Sequence, residues 1–330
     1  MPQKCRIRSS FELEAIPPYN FELTAREPCG FHWITPFEIY SHGIMWTAAP
    51  LEPVGVVGLK LKSVISIHKP MVSLTVFSKR KLTSCEEGKL LRNVERALGV
   101  KEDISGFYEM AKKYPVIQQA VTDLYGMRSA WGFDVFDRVI VALTSQNAPM
   151  NRTRQMINAL ITTYGETAEF DDHLVQTWPT PQTIMEASVQ GLREKCKLGY
   201  RAAYLKGIAK VIVDGECPSL EELEKMNPTQ AKKSLMRLKG IGEYSAEIIS
   251  PHPGFPLDIW SVKLFTKIFL PEKSWGSTSE AMKAMRKYAE TEWGRWQDYV
   301  FMYIVNDLEN LSRKLGLKLG LTVAEVREES

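Results

Sequence analysis

Two hydrophobic rhythms divide the chain. Between residues 20 and 80, apolar side chains alternate with polar ones or sit in short β-branched blocks. Examples are Ile44-Met45-Trp46-Thr47-Ala48, the stretch 54–61, Val64-Ile65-Ser66-Ile67 and the partly alternating 71–77. Phe21, Leu23, Phe31 and Trp33 add aromatic and apolar weight at the start, and Pro and Gly interrupt the blocks. This pattern predicts a curved antiparallel sheet. It ends in Lys79-Arg80-Lys81, which reads as a solvated turn. From about residue 85 the apolar positions recur every three to four residues. Helices are expected over 88–98, 102–113, 115–125, 135–143, 151–164, 183–192, 200–214, 219–226, 229–238, 243–250, 259–268 and 279–291. A long closing helix over 296–315, broken near Asn306, precedes a loose tail. The class is α+β: an antiparallel β-sheet domain over 1–100, an all-helical body over 101–316 and a tail over 317–330.

Composition narrows the partners only a little. At 330 residues the chain can bury a sizeable core without staples, and 44% hydrophobic with 25% charged residues is ordinary for a soluble globular protein. A net charge of +3 permits a DNA partner without demanding one, because local arrangement matters more than the total. No apolar run reaches the roughly eighteen residues of a transmembrane helix, and the amino terminus lacks a signal core. The expectation is a monomer inside the cell, in cytoplasm or nucleoid, or in the nucleus of a eukaryote. Cysteines at 5, 29, 85, 196 and 217 match neither a disulfide framework nor a CxxC site. None follows Trp293, which excludes an iron–sulfur cluster of closely spaced thiolates there. Histidines at 32, 42, 68, 173 and 252 show no ligand spacing, so neither metal nor organic cofactor is expected.

The chemistry concentrates near residue 240. Leu238-Lys239-Gly240-Ile241-Gly242 separates an amphipathic helix, with Lys232, Lys233 and Arg237 off its apolar face, from a helix starting at Glu243. Glycines at 240 and 242 permit a tight turn and a close approach of backbone to a phosphate. The free amides and positive dipole end of the second helix would point out of that turn. A phosphate held there is gripped without regard to base sequence. The same glycines also serve a plain interhelical turn. Asp258 follows in Gly254-Phe255-Pro256-Leu257-Asp258. It is placed to cap the helix over 259–268. A carboxylate fixed there could also stabilise positive charge developing on a sugar ring.

The hairpin over 231–250 and the Gly/Pro/Asp loop over 251–258 resemble the helix–hairpin–helix, Gly/Pro/Asp superfamily of base-excision DNA glycosylases. The resemblance spans roughly residues 20–310 and is most specific over 238–260. It implies a bilobal helical body, a hairpin gripping duplex DNA through Lys239, Gly240, Ile241 and Gly242, and a damaged nucleotide everted into a cleft. Asp258 is then the group that drives cleavage of the N-glycosidic bond. Leu198-Gly199-Tyr200-Arg201 resembles the segment that supplies 8-oxoguanine glycosylases with a tyrosine wedge and an arginine facing the orphaned base. Thr144-Ser145-Gln146-Asn147 resembles the loop filling the gap left by the everted base, with Gln146 and Asn147 as probes. Trp293-Gly294-Arg295-Trp296 resembles the closing segment of the alkylation-repair branch. Phe31-His32-Trp33 fits the accessory sheet domain of both branches.

Members that also cut the backbone carry a nucleophilic lysine two residues after the second hairpin glycine. Tyr244 stands there, and tyrosine cannot form the imine. The resemblance therefore implies a monofunctional hydrolase that leaves an abasic site. An aromatic at 244 can stack on an electron-poor base, and Ile248 would add an apolar wall. With Trp260, Trp293 and Trp296 as further pocket residues, the expected substrate is an alkylated purine such as 3-methyladenine. Alternatives are a glycosylase for oxidised guanine or deaminated bases, a non-catalytic duplex-binding module, and a structural protein using the hairpin only as a turn.

Overall fold

The computed structural model describes residues 2–26, 37–64, 67–128, 133–252 and 254–315. In chain order the strands and helices begin with β1 (Gln3–Lys4), β2 (Ile7–Glu14), α1 (Phe21–Ala25), β3 (Ile39–Ser41), β4 (Ile44–Leu51), β5 (Gly55–Ser63) and β6 (Met71–Ser78). There follow α2 (Ser84–Leu98), α3 (Ser105–Ala111), α4 (Pro115–Asp123), α5 (Val135–Ser145), α6 (Met150–Tyr164), β7 (Thr167–Phe170), β8 (His173–Gln176), α7 (Pro181–Glu186), α8 (Val189–Lys195) and α9 (Arg201–Val213). The last are α10 (Leu220–Lys225), α11 (Pro228–Leu235), α12 (Glu243–Ile249), α13 (Ile259–Phe269), α14 (Thr278–Glu292), α15 (Gln297–Asn306) and α16 (Leu308–Leu315). The α+β class holds: a sheet-rich amino-terminal region precedes a helical region containing the hairpin-linked pair α11 and α12. Phe31-His32-Trp33, Pro253 and the tail over 317–330 lie outside the described residues.

The chain forms two compact units. The first comprises residues 1–103, 124–144 and 154–217; the second comprises 104–123, 145–153 and 218–330. In the first unit an antiparallel sheet runs β2-β6-β5-β4-β3. Alternation sends Leu13, Met45, Leu59, Leu61, Val72, Leu74 and Val76 to one face, where they form a core with Leu90, Val94, Ala97 and Leu98 of α2. A capping box between Thr83 and Glu86 starts α2, and Gly99 in the left-handed region ends it. Glu86 also pairs with Arg80 at 2.6 Å, so the basic run at the end of the sheet is tied to a helix start.

The hairpin β7–β8 covers part of the opposite face. Ala168, Phe170 and Val175 pack with Cys5, Trp46, Ala48, Val56 and Phe77. Gly58 makes room for this: a Cβ there would lie 2.3 Å from the Phe170 ring. The hairpin turns through Asp171 and Asp172, both at positive φ, and Asp171 accepts hydrogen bonds from Trp46 Nε1 (2.8 Å) and Lys60 Nζ (2.7 Å). Strand β1 joins β7 in parallel, 165 residues away at Gln3 and Ala168.

Several local expectations differ from the structure. Phe21 and Leu23 belong to a short helix, because Asn20 caps it by accepting from the Leu23 amide at 3.1 Å. The single helix expected over 183–192 is two, since Ser188 accepts from the Gly191 amide (2.9 Å) and opens a new helix start. Strands β2, β7 and β8 lie outside the stretch whose rhythm predicts a sheet, and β7 and β8 are four residues each. In the second unit the break in the closing helix falls at Asp307, between α15 and α16. Phe255, Phe265, Phe269, Tyr288, Trp293 and Phe301 build an aromatic core there, with ring centroids 4.8–6.3 Å apart.

Candidate active site

Helix α11 starts sharply. Asn227 and Gln230 form a capping box, and Pro228 takes the first helical position. The turn that follows is anchored by two buried side chains, Leu238 and Ile241, while Lys239 is exposed. Gly240 has φ +96°, a conformation that strains any residue with a Cβ. Gly242 is different. Its backbone is extended (φ −94°, ψ −174°), it stands at the cap position of α12, and a Cβ there would meet nothing within 4 Å. No side chain caps α12. Its first amides therefore lack the partner that a Ser, Asn or Asp would supply. Glu247, one turn along, accepts from Lys232 of α11 (2.9 Å) and from Arg286 of α14 (2.6 Å), and Lys232 also reaches Glu243 (2.8 Å). Only 10% of the Glu247 side chain is exposed, so these pairs fasten both arms of the hairpin to α14.

The loop to Asp258 is pinned by Phe255 and Leu257, both buried, and Gly254 lies against the Glu247 side chain. Asp258 stands at the cap of α13. Its Oδ1 accepts from the Ser261 amide and the Ser261 hydroxyl, each at 2.6 Å, and Ser261 Oγ accepts from the Asp258 amide at 2.8 Å. The carboxylate is thus held in one orientation while the residue remains exposed. Ser261, buried at 1% exposure, orients this carboxylate and was absent from the expected site residues, although Asp-x-x-Ser before an apolar helix signals such a cap. Burial first, then the charges of Asp258 and Glu247, push the Tyr244 phenol well above its ordinary pKa. The phenol stays protonated through neutral pH, and the electrostatic coupling puts it within the field of the Asp258 carboxylate.

The remaining expected residues separate. Ile248 is buried on α12, and Trp260 is half-buried with its Nε1 buried and unbonded among the described residues. Trp293 corrects the expectation of a pocket wall. It is 2% exposed and ringed by Phe255, Phe265, Phe269 and Tyr288, which makes it core. Trp296 is half-buried against Phe107 of α3 and Tyr299, with Arg295 over its ring at 4.1 Å. Gln146 lies in the second unit and donates from Nε2 to the Gly240 carbonyl (2.7 Å) and to Ser245 Oγ (2.9 Å). Asn147 beside it is exposed and at positive φ (45°). Tyr200 and Arg201 belong to the first unit. Tyr200 is 47% exposed, whereas Arg201 is buried beneath it, the guanidinium 4.6 Å from the ring centroid and Nε donating to the Leu143 carbonyl at 3.0 Å. No group of three or more metal-ligating side chains occurs among the described residues.

Comparison with known proteins gives this geometry a context. Residues 140–291 match the model of the HhH-GPD superfamily base excision DNA repair proteins, a span holding the hairpin and Asp258. The DNA-3-methyladenine glycosylase of Bacillus subtilis is 22% identical over 242 residues, covering 72% of this chain and 78% of that protein. A probable N-glycosylase/DNA lyase of Methanothermobacter thermautotrophicus is 24% identical over 251 residues, covering 69% and 76%. Among solved structures, the 3-methyladenine DNA-glycosylase of Archaeoglobus fulgidus superposes with a TM-score of 0.71 at 20% identity, over 89% of this chain and 97% of that one. The hairpin and the acid at the start of α13 occur together within that matched segment, residues 140–291, which is similar to the HhH-GPD superfamily of base excision DNA repair proteins.

Proposed function

We propose that this protein is a monofunctional DNA glycosylase that removes an alkylated purine, such as 3-methyladenine, from duplex DNA. Glycosylase action on damaged bases is supported at the level of the superfamily. The observation that carries the finer reading is an exposed, oriented Asp258 carboxylate together with a half-buried Tyr244 where lyase members carry lysine. Phosphate held by the hairpin would position the strand, and the everted base would stack on the Tyr244 ring. Cleavage of the bond between C1′ and the base nitrogen leaves both bonding electrons on the base. The positive charge left on the sugar is stabilised by Asp258, and water adds at C1′ and loses a proton. An alkylated purine already bears positive charge, so departure as a neutral base needs little acid catalysis and selection rests on stacking.

A substitute for the missing nucleophile would have to come from a lysine near the hairpin or from Lys263, exposed on α13 five residues after the acid. Lys232 is held by Glu243 and Glu247, and Lys239 is exposed on the hairpin turn. A second reading, release of an oxidised guanine, is favoured by the exposed Tyr200 at the start of α9, whereas the buried Arg201, donating to the Leu143 carbonyl, does not support the expected contact with an orphaned base. A panel of duplexes, each with one damaged base and assayed with and without alkaline cleavage, separates these readings. Release of methylated adenine with strand scission only after alkali supports the proposal. Release of 8-oxoguanine alone, or scission without alkali, overturns it.

A further inference from the structure

Gln146 occupies the segment whose resemblance suggests a side chain that fills the gap behind an everted base. Its geometry shows a different commitment. A primary amide has two N–H donors. One lies 2.7 Å from the carbonyl of Gly240 and the other 2.9 Å from Ser245 Oγ. The carbonyl accepts only, so the orientation of the amide is fixed by chemistry. The two partners lie on opposite sides of the turn. Gly240 is the residue at φ +96°, and Ser245, 2% exposed, is in the first turn of α12. Gln146 thus links the residue at positive φ to the first turn of α12. The uncapped Gly242 and the first amides of α12 lie between the two points of attachment.

We infer that Gln146 is a positioning residue for the phosphate-binding hairpin, and that Asn147 alone presents a side chain to the gap left by an everted base. This rests on the DNA-binding reading above. A hairpin whose turn has one left-handed glycine and no side-chain cap would otherwise sample several arrangements of its amides. The clasp holds one of them before DNA arrives, which lowers the ordering cost of binding. Asn147 has what Gln146 lacks: exposure, and a left-handed backbone that turns the chain direction immediately after the clasp.

The test compares Gln146→Ala, Ser245→Ala and Asn147→Ala with wild type on undamaged and lesion-bearing duplexes, with amide hydrogen exchange over the hairpin. Wild-type duplex binding and base release are measured first, so failure of the glycosylase reading is seen independently. The expected result is that Gln146→Ala weakens binding to both duplexes alike, by about tenfold for two lost hydrogen bonds. The lesion-to-undamaged ratio stays constant and the amides of residues 241–245 exchange faster. Ser245→Ala gives the same pattern at smaller size and serves if Gln146→Ala fails to fold. Asn147→Ala keeps undamaged affinity and loses lesion preference. Unchanged hairpin exchange in Gln146→Ala and Ser245→Ala overturns the inference. So does a Gln146→Ala variant that loses lesion preference with undamaged affinity intact.

Discussion

The starts of α12 and α13 solve the same problem in opposite ways. Each helix begins with amides that have no partner within the helix. At α13 the protein supplies its own anion: Asp258 accepts from Ser261, and the box closes. At α12 the cap residue is Gly242, which supplies nothing, and the space where its side chain would stand is open. Elsewhere Thr83, Ser188, Ser219, Asn227 and Ser277 all cap their helices with side chains. Helices α3, α9 and α15 also start without a side-chain cap, so what sets α12 apart is the glycine at its cap position and the open space beside it. The capped start teaches a second lesson. A carboxylate can serve stability through Oδ1 and remain exposed for other chemistry.

The largest expected effect breaks the chemical half of that contrast. Asp258→Asn keeps an oxygen for Ser261, so the cap and the fold survive, but the charge is gone. Base release should fall by roughly a hundred- to a thousandfold, the scale of losing one aligned electrostatic group. Duplex affinity should be retained, which single-turnover release and a binding titration check together. Next comes the bare start. The Cβ of Gly242→Val meets no atom of the protein within 4 Å and the backbone there is already extended, so its unfolding temperature should stay close to wild type. Affinity for any duplex should drop about tenfold or more, because the branched side chain fills the phosphate approach. Gly240→Ala sharpens the contrast: at φ +96° it should cost about 1 kcal/mol of stability by thermal unfolding.

The smallest effect concerns a third helix start. Asp307, 1% exposed, precedes α16, and its Oδ1 accepts from Asn310 at 2.8 Å. Burial, opposed by the Asn310 hydrogen bond and aided by the Asp123 carboxylate, pushes its pKa up to about 7. Lys314 pairs with that same Asp123. The folded value lies above the unfolded one, so the group's contribution is fully present below about pH 4 and is lost as pH rises through 7. Asp307→Asn should flatten this loss, narrowing the difference in unfolding temperature between pH 5 and pH 8 by roughly a few degrees. An unchanged pH profile would show that the buried carboxyl does not titrate in this window.

Residues 238–260 were the most legible part of the site, because glycine spacing, an apolar frame and a lone Asp are local signals. The role of Trp293 was not legible. Tryptophans look alike in sequence whether they line a cleft or fill a core, and only its enclosure by Phe255 and Phe265 distinguishes them. The clasp by Gln146 joins residues 94 and 99 positions apart, and no local rhythm encodes such a pairing. The pairing of Arg286 with Glu247 was hidden for the same reason. In the fold, alternation found β4, β5 and β6, but the four-residue strands β7 and β8 are too short for periodicity to declare them.

Six alternating stretches of one polypeptide make up the two units. No single cut can therefore yield either half as a free-standing piece. Even a cut after residue 217, which keeps all three stretches of the first unit, parts residues 218–330 from 104–123 and 145–153 of the second. The nine residues from 145 to 153 are the sharpest case, since this brief visit to the second unit carries Gln146 and Asn147. Engineering of this chain is better done by substitution within it than by exchange of modules.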